Sequence, residues 1–261
     1  MNSDLTLALQ LADEADARAG HYFGLKTLLS EMKNDHTIVT QADIETESAI
    51  RQLLKSARPD DAVHGEEMSD SGDSPRRWVI DPIDGTANYV RGVPVWASLI
   101  GLMVEGQVTV GVVSAPALGR RWWAATGEGA WTGVSQAAKR RLHVSPTSQL
   151  GEAFLSYSSL TGWAEIGRSR EFLALLGKCG RTRAFGDFYS YMLVAEGAVD
   201  IATEPELALH DMAALDVIVR EAGGRFSNLN GVDGPVGPGA LATNGLLHDS
   251  VLALLKLDES A

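Results

Sequence analysis

The chain of 261 residues is 45% hydrophobic and 21% charged, a composition typical of a globular protein rather than a disordered one. Its formal net charge of −12 at pH 7 argues against nucleic acid as a partner, because nucleic-acid binding relies on a basic surface. No apolar run approaches the roughly 18 residues of a membrane-spanning helix, so we expect no membrane partner.

The N-terminal segment is predicted to be helical. Its start, MNSDLTLALQ, lacks the basic residues of a signal peptide, so we expect a cytoplasmic protein. Apolar residues at helical spacing predict a helix over Ser3–Phe23, with Ser3 or Asp4 as its N-cap. A second helix is predicted from about Ala42 to Ala57, where Thr40 and Asp43 indicate a capping-box variant. Its apolar side is expected to carry Ile44, Ile50, Leu53 and Leu54.

Strands are predicted in the middle of the chain. A short strand in DAVHGEE and a longer one in RWVIDPI precede an apolar hairpin, ASLIGLMVEGQVTVGVVSAP, which turns at Glu105 and Gly106. A second pair is predicted in RRWWAATGEGAWTG, with Gly127 and Gly129 at the turn. RLHVS and EAFLSYSS are later strand candidates.

Helices and strands alternate in the C-terminal third. Helices are predicted over Arg168–Leu176, Asp187–Gly197 and Asp211–Ala222 and in HDSVLALLKL, and strands in VDIATE, GRFSN and GALATN. This order predicts an α/β fold, a layered sandwich. We expect a subdomain boundary near residues 140 to 150, which separates an N-terminal α+β part, 1–145, from a C-terminal α/β part, 146–261.

Five acidic residues in four segments stand out. They are Glu66 in GEE, Asp81 and Asp84 in WVIDPIDGTANYV, and Asp43 and Asp211 in the first turns of predicted helices. Each has a simple structural interpretation, because aspartate is common in turns and acidic residues favour helix N-termini. Together, however, carboxylates from a loop, a strand end and helix starts can converge on the oxygen-rich type of site that Mg²⁺ prefers.

The order GEE, WVIDPIDGT, HDMAAL and EAGG closely resembles the inositol monophosphatase superfamily of Mg²⁺-dependent phosphomonoesterases. The two signature motifs of that superfamily match WVIDPIDGTANYV and HDMAALDVIVREAGG, and DHTIVTQAD and GEGAW extend the resemblance over nearly the whole chain. The resemblance implies an αβαβα sandwich, a homodimer, a phosphate monoester as substrate and two to three Mg²⁺ ions in each active site.

The resemblance also implies the metal ligands. Glu66, Asp81 and the backbone carbonyl of Ile83 would bind the first ion. Asp81, Asp84 and Asp211 would bind the second, and a third, weaker ion would lie near Glu66. These roles agree with the chemistry, because a phosphate dianion repels hydroxide and its hydrolysis needs cations that cancel this charge.

Gly85 and Thr86 would contact the phosphate, and Thr86 and Asp43 would orient and deprotonate the attacking water. With Glu66 they form the expected catalytic set. Aspartyl phosphatases of the haloacid dehalogenase type are an alternative, but they use D-x-D-G-T near the start of their fold. Here the spacing is D-x-x-D, after Trp78, so direct attack by water is the favoured interpretation.

Substrate choice is expected to depend on the C-terminal half. The run GDFYSYMLVAEGAVD resembles the histidinol-phosphate phosphatase branch, which implies hydrolysis of L-histidinol phosphate in histidine biosynthesis. Gly186, Asp187, Glu204 and Asp211 are the expected substrate contacts. Asp187 and Glu204 would place negative charge beside a cationic leaving group, which gains a charge-assisted hydrogen bond. In the alternative interpretation, Asp187 only caps the helix that it begins.

Two further alternatives stay open from the sequence: an inositol or fructose-bisphosphate phosphatase, and a non-catalytic binder of metal or phosphate. The chain departs from the family at His210, where a tryptophan usually precedes the aspartate of the second motif. His64 and His248 are interpreted as ordinary loop residues.

Overall fold

The computed structural model describes residues 2–33 and 38–256, so the first residues of the DHTIVTQAD segment, 35–37, lie outside the described part. Within these ranges there are eight α-helices: α1 Ser3–Tyr22, α2 Gln41–Ala57, α3 Thr86–Val90, α4 Thr161–Glu165, α5 Ser169–Lys178, α6 Asp187–Ala195, α7 Leu209–Glu221 and α8 His248–Leu255. None of the helices in the described ranges is long and apolar enough to cross a membrane.

Most of the fourteen strands of the described ranges belong to two large sheets. They are β1 Ser30–Met32, β2 Ile38–Thr40, β3 Ala62–Gly65, β4 Arg76–Asp84, β5 Ala97–Val104, β6 Gln107–Ala115, β7 Arg120–Ala125, β8 Gly129–Gly133, β9 Lys139–Arg141, β10 Phe154–Ser156, β11 Arg181–Arg183, β12 Ile201–Glu204, β13 Arg225–Ser227 and β14 Ala240–Thr243. The larger sheet has the order β3-β4-β5-β6-β7-β8-β9, and the smaller one β11-β10-β12-β14-β13.

The elements form five layers. Apolar residues of α1 and α2 pack on one face of the larger sheet, and α6 and α7 pack between the two sheets. On the far side, α4, α5 and α8 cover the smaller sheet. The predicted αβαβα sandwich is therefore confirmed. The division into subdomains at residue 145 stays a prediction.

Helix α7 lies unusually close to the larger sheet. A Cβ atom at Gly111 of β6 would lie 2.6 Å from the carbonyl oxygen of Ala214, and one at Gly101 of β5 would lie 3.0 Å from Cβ of Ala213. Glycine in a strand permits such an approach because it has no side chain. Asp211, in the first turn of α7, is thereby brought to the end of β4.

The ends of α1 differ from the prediction. Asn2 is the N-cap, and its Oδ1 accepts hydrogen bonds from the backbone N–H groups of Asp4 and Leu5. The helix ends at Tyr22 rather than at Phe23. RLHVS was also predicted wrongly: β9 stops at Arg141, and the chain then leaves the sheet.

Candidate metal centre and active site

The D-P-I-D segment forms a bulge in β4. Asp81 lies opposite Leu99 of β5 and Asp84 opposite Ala97, so two residues between the aspartates face a single residue of the partner strand. Pro82 has no N–H to donate to the sheet, and its carbonyl instead accepts a hydrogen bond from Ser98 Oγ at 2.7 Å. Residues three apart in a regular strand point to opposite faces, and the bulge removes this alternation.

The two aspartates meet Asp211 at the end of the strand. Each of the three offers a carboxylate oxygen, and these oxygens all lie within 4.8 Å of one another. With Glu66 and Ile83, they line a cavity of about 290 Å³. All five residues that the sequence analysis named as metal ligands therefore border one cavity.

Neighbouring backbone groups hold these carboxylates in place. Asp81 Oδ1 accepts the N–H of Ile83 at 3.0 Å, and Asp84 Oδ2 accepts the N–H of Phe188 at 2.8 Å. Asp211 Oδ2 accepts the N–H of Ala208 at 2.7 Å, which caps α7. Each aspartate thus keeps one oxygen that is not used in these bonds.

The cluster is electrostatically unfavourable without a cation. Burial raises the pKa values of Asp81 and Asp84 well above the usual range, and repulsion adds to this effect, from Glu66 and Asp84 on Asp81 and from Asp187 and Asp211 on Asp84. Burial also raises the pKa of Asp211. Carboxylates that repel one another and carry free oxygens fit a hard divalent cation such as Mg²⁺.

Glu66 follows β3, which runs parallel to β4. Its N–H donates to the carbonyl of Ile80 at 3.2 Å, so the ends of the two strands lie side by side. Its Oε1 accepts a hydrogen bond from Lys33 Nζ at 2.9 Å, and the same ammonium group bonds Glu67 Oε1 at 2.7 Å. The sequence analysis did not identify Lys33, because no local motif marks it.

The GEE segment depends on Glu47 of α2, another residue that the sequence analysis missed. Glu47 is fully buried, and its carboxylate accepts the N–H of Glu67 at 2.8 Å and the Nε–H of Arg51 at 2.7 Å. A Cβ atom at Gly65 would lie 2.1 Å from Glu47 Oε1. A side chain at that position would displace the carboxylate of Glu47, which holds the chain beside Glu66 through the N–H of Glu67.

Asp43 and Thr86 lie together beside the expected metal ligands. The predicted capping box is confirmed, because Asp43 Oδ2 accepts the N–H and the hydroxyl of Thr40 at 2.9 and 2.6 Å. Thr86 Oγ1 lies 2.9 Å from the carbonyl oxygen of Ile83 and 3.3 Å from Asp43 Oδ1. Burial raises the pKa of Asp43 to about 6, so this carboxylate can accept a proton near neutral pH.

Gly85 forms the turn between the bulged strand and α3. Its φ of +81° favours glycine. A Cβ atom there would lie 3.0 Å from the carbonyl oxygen of Val95 and 3.3 Å from Asp187 Oδ2. Gly85, Thr86 and Ala87 border the same cavity as the carboxylates, so the expected phosphate contacts are next to the expected metal ligands.

Asp187 approaches the carboxylate cluster from the start of α6. Its φ is +47°, its N–H donates to Ser158 Oγ at 2.8 Å, and its Oδ2 accepts a bond from Asn88 Nδ2 at 2.8 Å. The capping alternative is wrong, because Gly186 is the N-cap residue and α6 has no side-chain cap. Burial raises the pKa of Asp187 to about 6, and the charge of Asp211 adds to this shift.

Glu204 belongs to the same group of carboxylates. It is buried at the end of β12, and its Oε1 finds no hydrogen-bond partner among the described residues. Burial, then repulsion from Asp187, raises its pKa to about 8. In the described part of the chain, neither Asp187 nor Glu204 lines the cavity of the expected metal ligands. The charge of Asp187 nevertheless helps to raise the pKa of Asp84.

The histidines differ from the sequence interpretation. His210 stacks on His64 with ring centroids 6.0 Å apart, and it borders a second cavity, of about 670 Å³, together with Lys33 and Glu66. His64 lies in β3 rather than in a loop. His248 is fully buried at the start of α8, where its Nε2 is 2.8 Å from Ser227 Oγ.

Comparison with known proteins agrees with this site. The model of the "Inositol monophosphatase family" matches residues 2–257. The chain is 56% identical to a histidinol-phosphatase of Mycobacterium tuberculosis, covering 97% of this chain and 98% of that protein. It is 57% identical to a histidinol-phosphatase of Streptomyces coelicolor, with 97% and 96% covered. The solved extragenic suppressor protein suhB of Bartonella henselae has a TM-score of 0.89 at 27% identity, over the full length of both chains.

A layered α/β fold, in which a bulged strand delivers carboxylates to one cavity beside a glycine turn, defines a metal-dependent phosphatase. The chain belongs to the inositol monophosphatase family. The enzymes of this family are metal-dependent, in agreement with the acidic cluster.

Proposed function

We propose that this chain is a histidinol-phosphatase that hydrolyses L-histidinol phosphate to L-histidinol and phosphate. The observation that carries this proposal is the carboxylate pair of half-buried Asp187 and buried Glu204, because Glu204 Oε1 has no hydrogen-bond partner among the described residues. An unpaired buried carboxylate oxygen is unfavourable, and a cationic ligand satisfies it. The similarity to two histidinol-phosphatases over nearly their full length supports the same substrate.

Mg²⁺, as two to three ions held by Glu66, Asp81, Asp84, Asp211 and the carbonyl of Ile83, would supply the positive charge that the phosphate needs and would make water more acidic. The backbone of Gly85 and the hydroxyl of Thr86 orient the phosphate.

Asp43 receives the proton of the attacking water through Thr86, a role supported by the 3.3 Å distance from Thr86 Oγ1 to Asp43 Oδ1. The pKa of Asp43, raised to about 6 by burial, suits a group that is deprotonated before the reaction and takes up a proton during it.

The leaving alcohol is bound by Gly186, Asp187, Glu204 and Asp211. L-Histidinol carries an amine and an imidazole, so two neighbouring carboxylates beside the metal site favour it over a neutral polyol. The amine also lowers the pKa values of Asp187 and Glu204 on binding, because an opposite charge favours the ionised carboxylate.

Two other functions are less well supported. An inositol or fructose-bisphosphate phosphatase does not explain why Glu204 Oε1 is buried without a hydrogen-bond partner among the described residues. A non-catalytic binder of metal or phosphate does not need the contact between Thr86 and Asp43.

We also propose a homodimer and a cytoplasmic location on the basis of the family resemblance. Light scattering on the purified chain tests the first point, and cell fractionation tests the second.

The variant Glu204→Gln tests the substrate assignment. It keeps the shape of the side chain and removes the charge, so we expect kcat/KM for L-histidinol phosphate to fall about 10- to 100-fold, as for loss of a charge-assisted hydrogen bond. For inositol 1-phosphate the loss should be several-fold smaller. Glu152→Gln, at an exposed glutamate that borders neither of the two cavities, is the matched control. An equal loss for both esters in Glu204→Gln would argue against recognition of a cation.

A further inference from the structure

Asn88 links the turn at Gly85 to Asp187, an expected contact of the leaving group. It lies in α3, three residues after Gly85, and its Nδ2 donates to Asp187 Oδ2 at 2.8 Å and to the carbonyl of Val95 at 3.0 Å. Ninety-nine residues of sequence separate Asn88 from Asp187. None of the roles described above includes Asn88.

The surroundings of Asp187 leave its carboxylate dependent on Asn88. Ser158 holds the backbone of Asp187, through the bond from its N–H, but does not bond the carboxylate. Gly85 leaves the space that Oδ2 occupies, since a Cβ atom at Gly85 would lie 3.3 Å from it. In the described part of the chain, the Asn88 amide is the one group that donates a hydrogen bond to this carboxylate.

The chemistry of the donor matters as much as its position. A lysine or arginine at position 88 would form an ion pair with Asp187 and would compete with the amine of a substrate. The neutral amide of asparagine donates a hydrogen bond without cancelling the charge. Asp187 Oδ2 is thus fixed, while Oδ1, which accepts no hydrogen bond from the described residues, stays free for a ligand.

We infer that Asn88 is a positioning residue for leaving-group specificity, which holds the Asp187 carboxylate for the cationic group of the substrate. This inference rests on the proposed function. The D-P-I-D-G-T-A-N segment then has two roles. Its turn at Gly85 contacts the phosphate, and its Asn88 positions Asp187, the residue that binds the leaving alcohol.

A purely structural role is the competing explanation, since the same Nδ2 also bonds Val95 and so fixes the loop after α3. The two roles differ in what a substitution changes. Loss of a structural bond lowers kcat/KM for all esters alike. Loss of positioning lowers kcat/KM more for the ester with a cationic alcohol, and this difference requires Asp187.

The test is a double-mutant cycle with Asn88→Ala, Asp187→Ala and the double variant, measured on L-histidinol phosphate and inositol 1-phosphate. We expect Asn88→Ala to lower the ratio of the two kcat/KM values about tenfold, mainly through a higher KM for L-histidinol phosphate. In the Asp187→Ala background the same change should alter the ratio less than about twofold. Asn230→Ala, at an exposed asparagine, is the control.

An unchanged ratio in Asn88→Ala, or an equal change without Asp187, would overturn the inference while leaving the proposed function intact. A wild type that shows no preference for L-histidinol phosphate would overturn both. If Asn88→Ala does not fold, Asn88→Ser replaces it in the cycle. This variant keeps a polar side chain but shortens it, and it should lower the ratio in the same way.

Discussion

Gly85 lies between the bulged strand and Asp187, and a Cβ atom there would lie closer than usual to its neighbours. Its φ of +81°, and the 3.3 Å that would separate a Cβ atom from Asp187 Oδ2, impose two separate restrictions. The positive φ disfavours every residue with a Cβ atom, because the left-handed region is unfavourable by about 1 to 2 kcal/mol. The short distance to Asp187 is specific to this site.

Gly85→Ala and Gly92→Ala separate these two restrictions. Gly92 also has a positive φ, +72°, but a Cβ atom there would have no neighbour within 4 Å. We expect both variants to lose about 1 to 2 kcal/mol of unfolding free energy from the backbone conformation. Only Gly85→Ala should also lose more than tenfold in kcat/KM, because Asp187 and Val95 must move. Chemical denaturation and phosphate release measure the two effects; similar activities in both variants would contradict this account.

At this scale, the residues that a local motif marks were predictable and the others were not. Glu66, Asp81, Asp84 and Asp211 border one cavity, as the sequence analysis expected. Lys33, Glu47 and Asn88 were missed, because each acts on a partner that is distant in sequence. A buried carboxylate such as Glu47 looks like any other polar residue of a helix until its partners are known.

At the scale of elements, α8 is held to the smaller sheet by a buried histidine. His248 lies 2.8 Å from Ser227 Oγ of β13 through Nε2 and 3.1 Å from Thr243 Oγ1 of β14 through Nδ1. Burial, then the nearby charge of Arg225, lowers the pKa of His248 to about 4, while Asp233 and Asp249 act in the opposite direction. The folded protein therefore holds this imidazole neutral at pH values where the unfolded chain protonates it.

His248 should make the fold sensitive to acid. Its pKa is lower in the folded state than the unfolded value of about 6.5, so the unfolded chain binds more protons between pH 6.5 and 4. The contribution of His248 to the free energy of unfolding is then fully present above pH 6.5 and is lost towards pH 4, by up to about 1.4 kcal/mol per pH unit.

Urea denaturation across this range measures the effect. His248→Gln should reduce the slope, whereas His143→Gln, at an exposed histidine, should keep it. Equal slopes in the two variants would assign the acid sensitivity to other groups.

The sequence predicted long elements better than short ones. The hairpin at Glu105 and Gly106 and helix α7 have clear periodicity and are confirmed within a few residues. Six strands of the described ranges have three residues each: β10 and β13 lie in predicted strand segments, whereas β1, β2 and β11 were missed and β9 was misplaced. On α2, Ile44 and Leu53 are exposed to 47% and 39%, because the buried face includes the carboxylates of Asp43 and Glu47.

At the scale of the whole molecule, the site exists because five elements end at one place. The ends of β3 and β4 and the first turn of α7 bring their acidic residues to one cavity, and the first turns of α2 and α6 place Asp43 and Asp187 beside Thr86 and Gly85 at its border. The order of helices and strands predicted the layers, but not which ends would meet. The bulge that turns Asp81 and Asp84 to the same cavity has no clear sequence signal beyond Pro82, since it depends on the register of β5.

The most direct test is phosphate release by the purified wild-type chain from L-histidinol phosphate, inositol 1-phosphate and fructose 1,6-bisphosphate at equal concentration, with Mg²⁺ and with EDTA. Asp84→Asn, which removes a proposed metal ligand, serves as the control. We predict Mg²⁺-dependent release, at least tenfold faster from L-histidinol phosphate, and none above background in EDTA or in Asp84→Asn. Comparable or faster release from the other two esters, or release that persists in EDTA, would contradict the account.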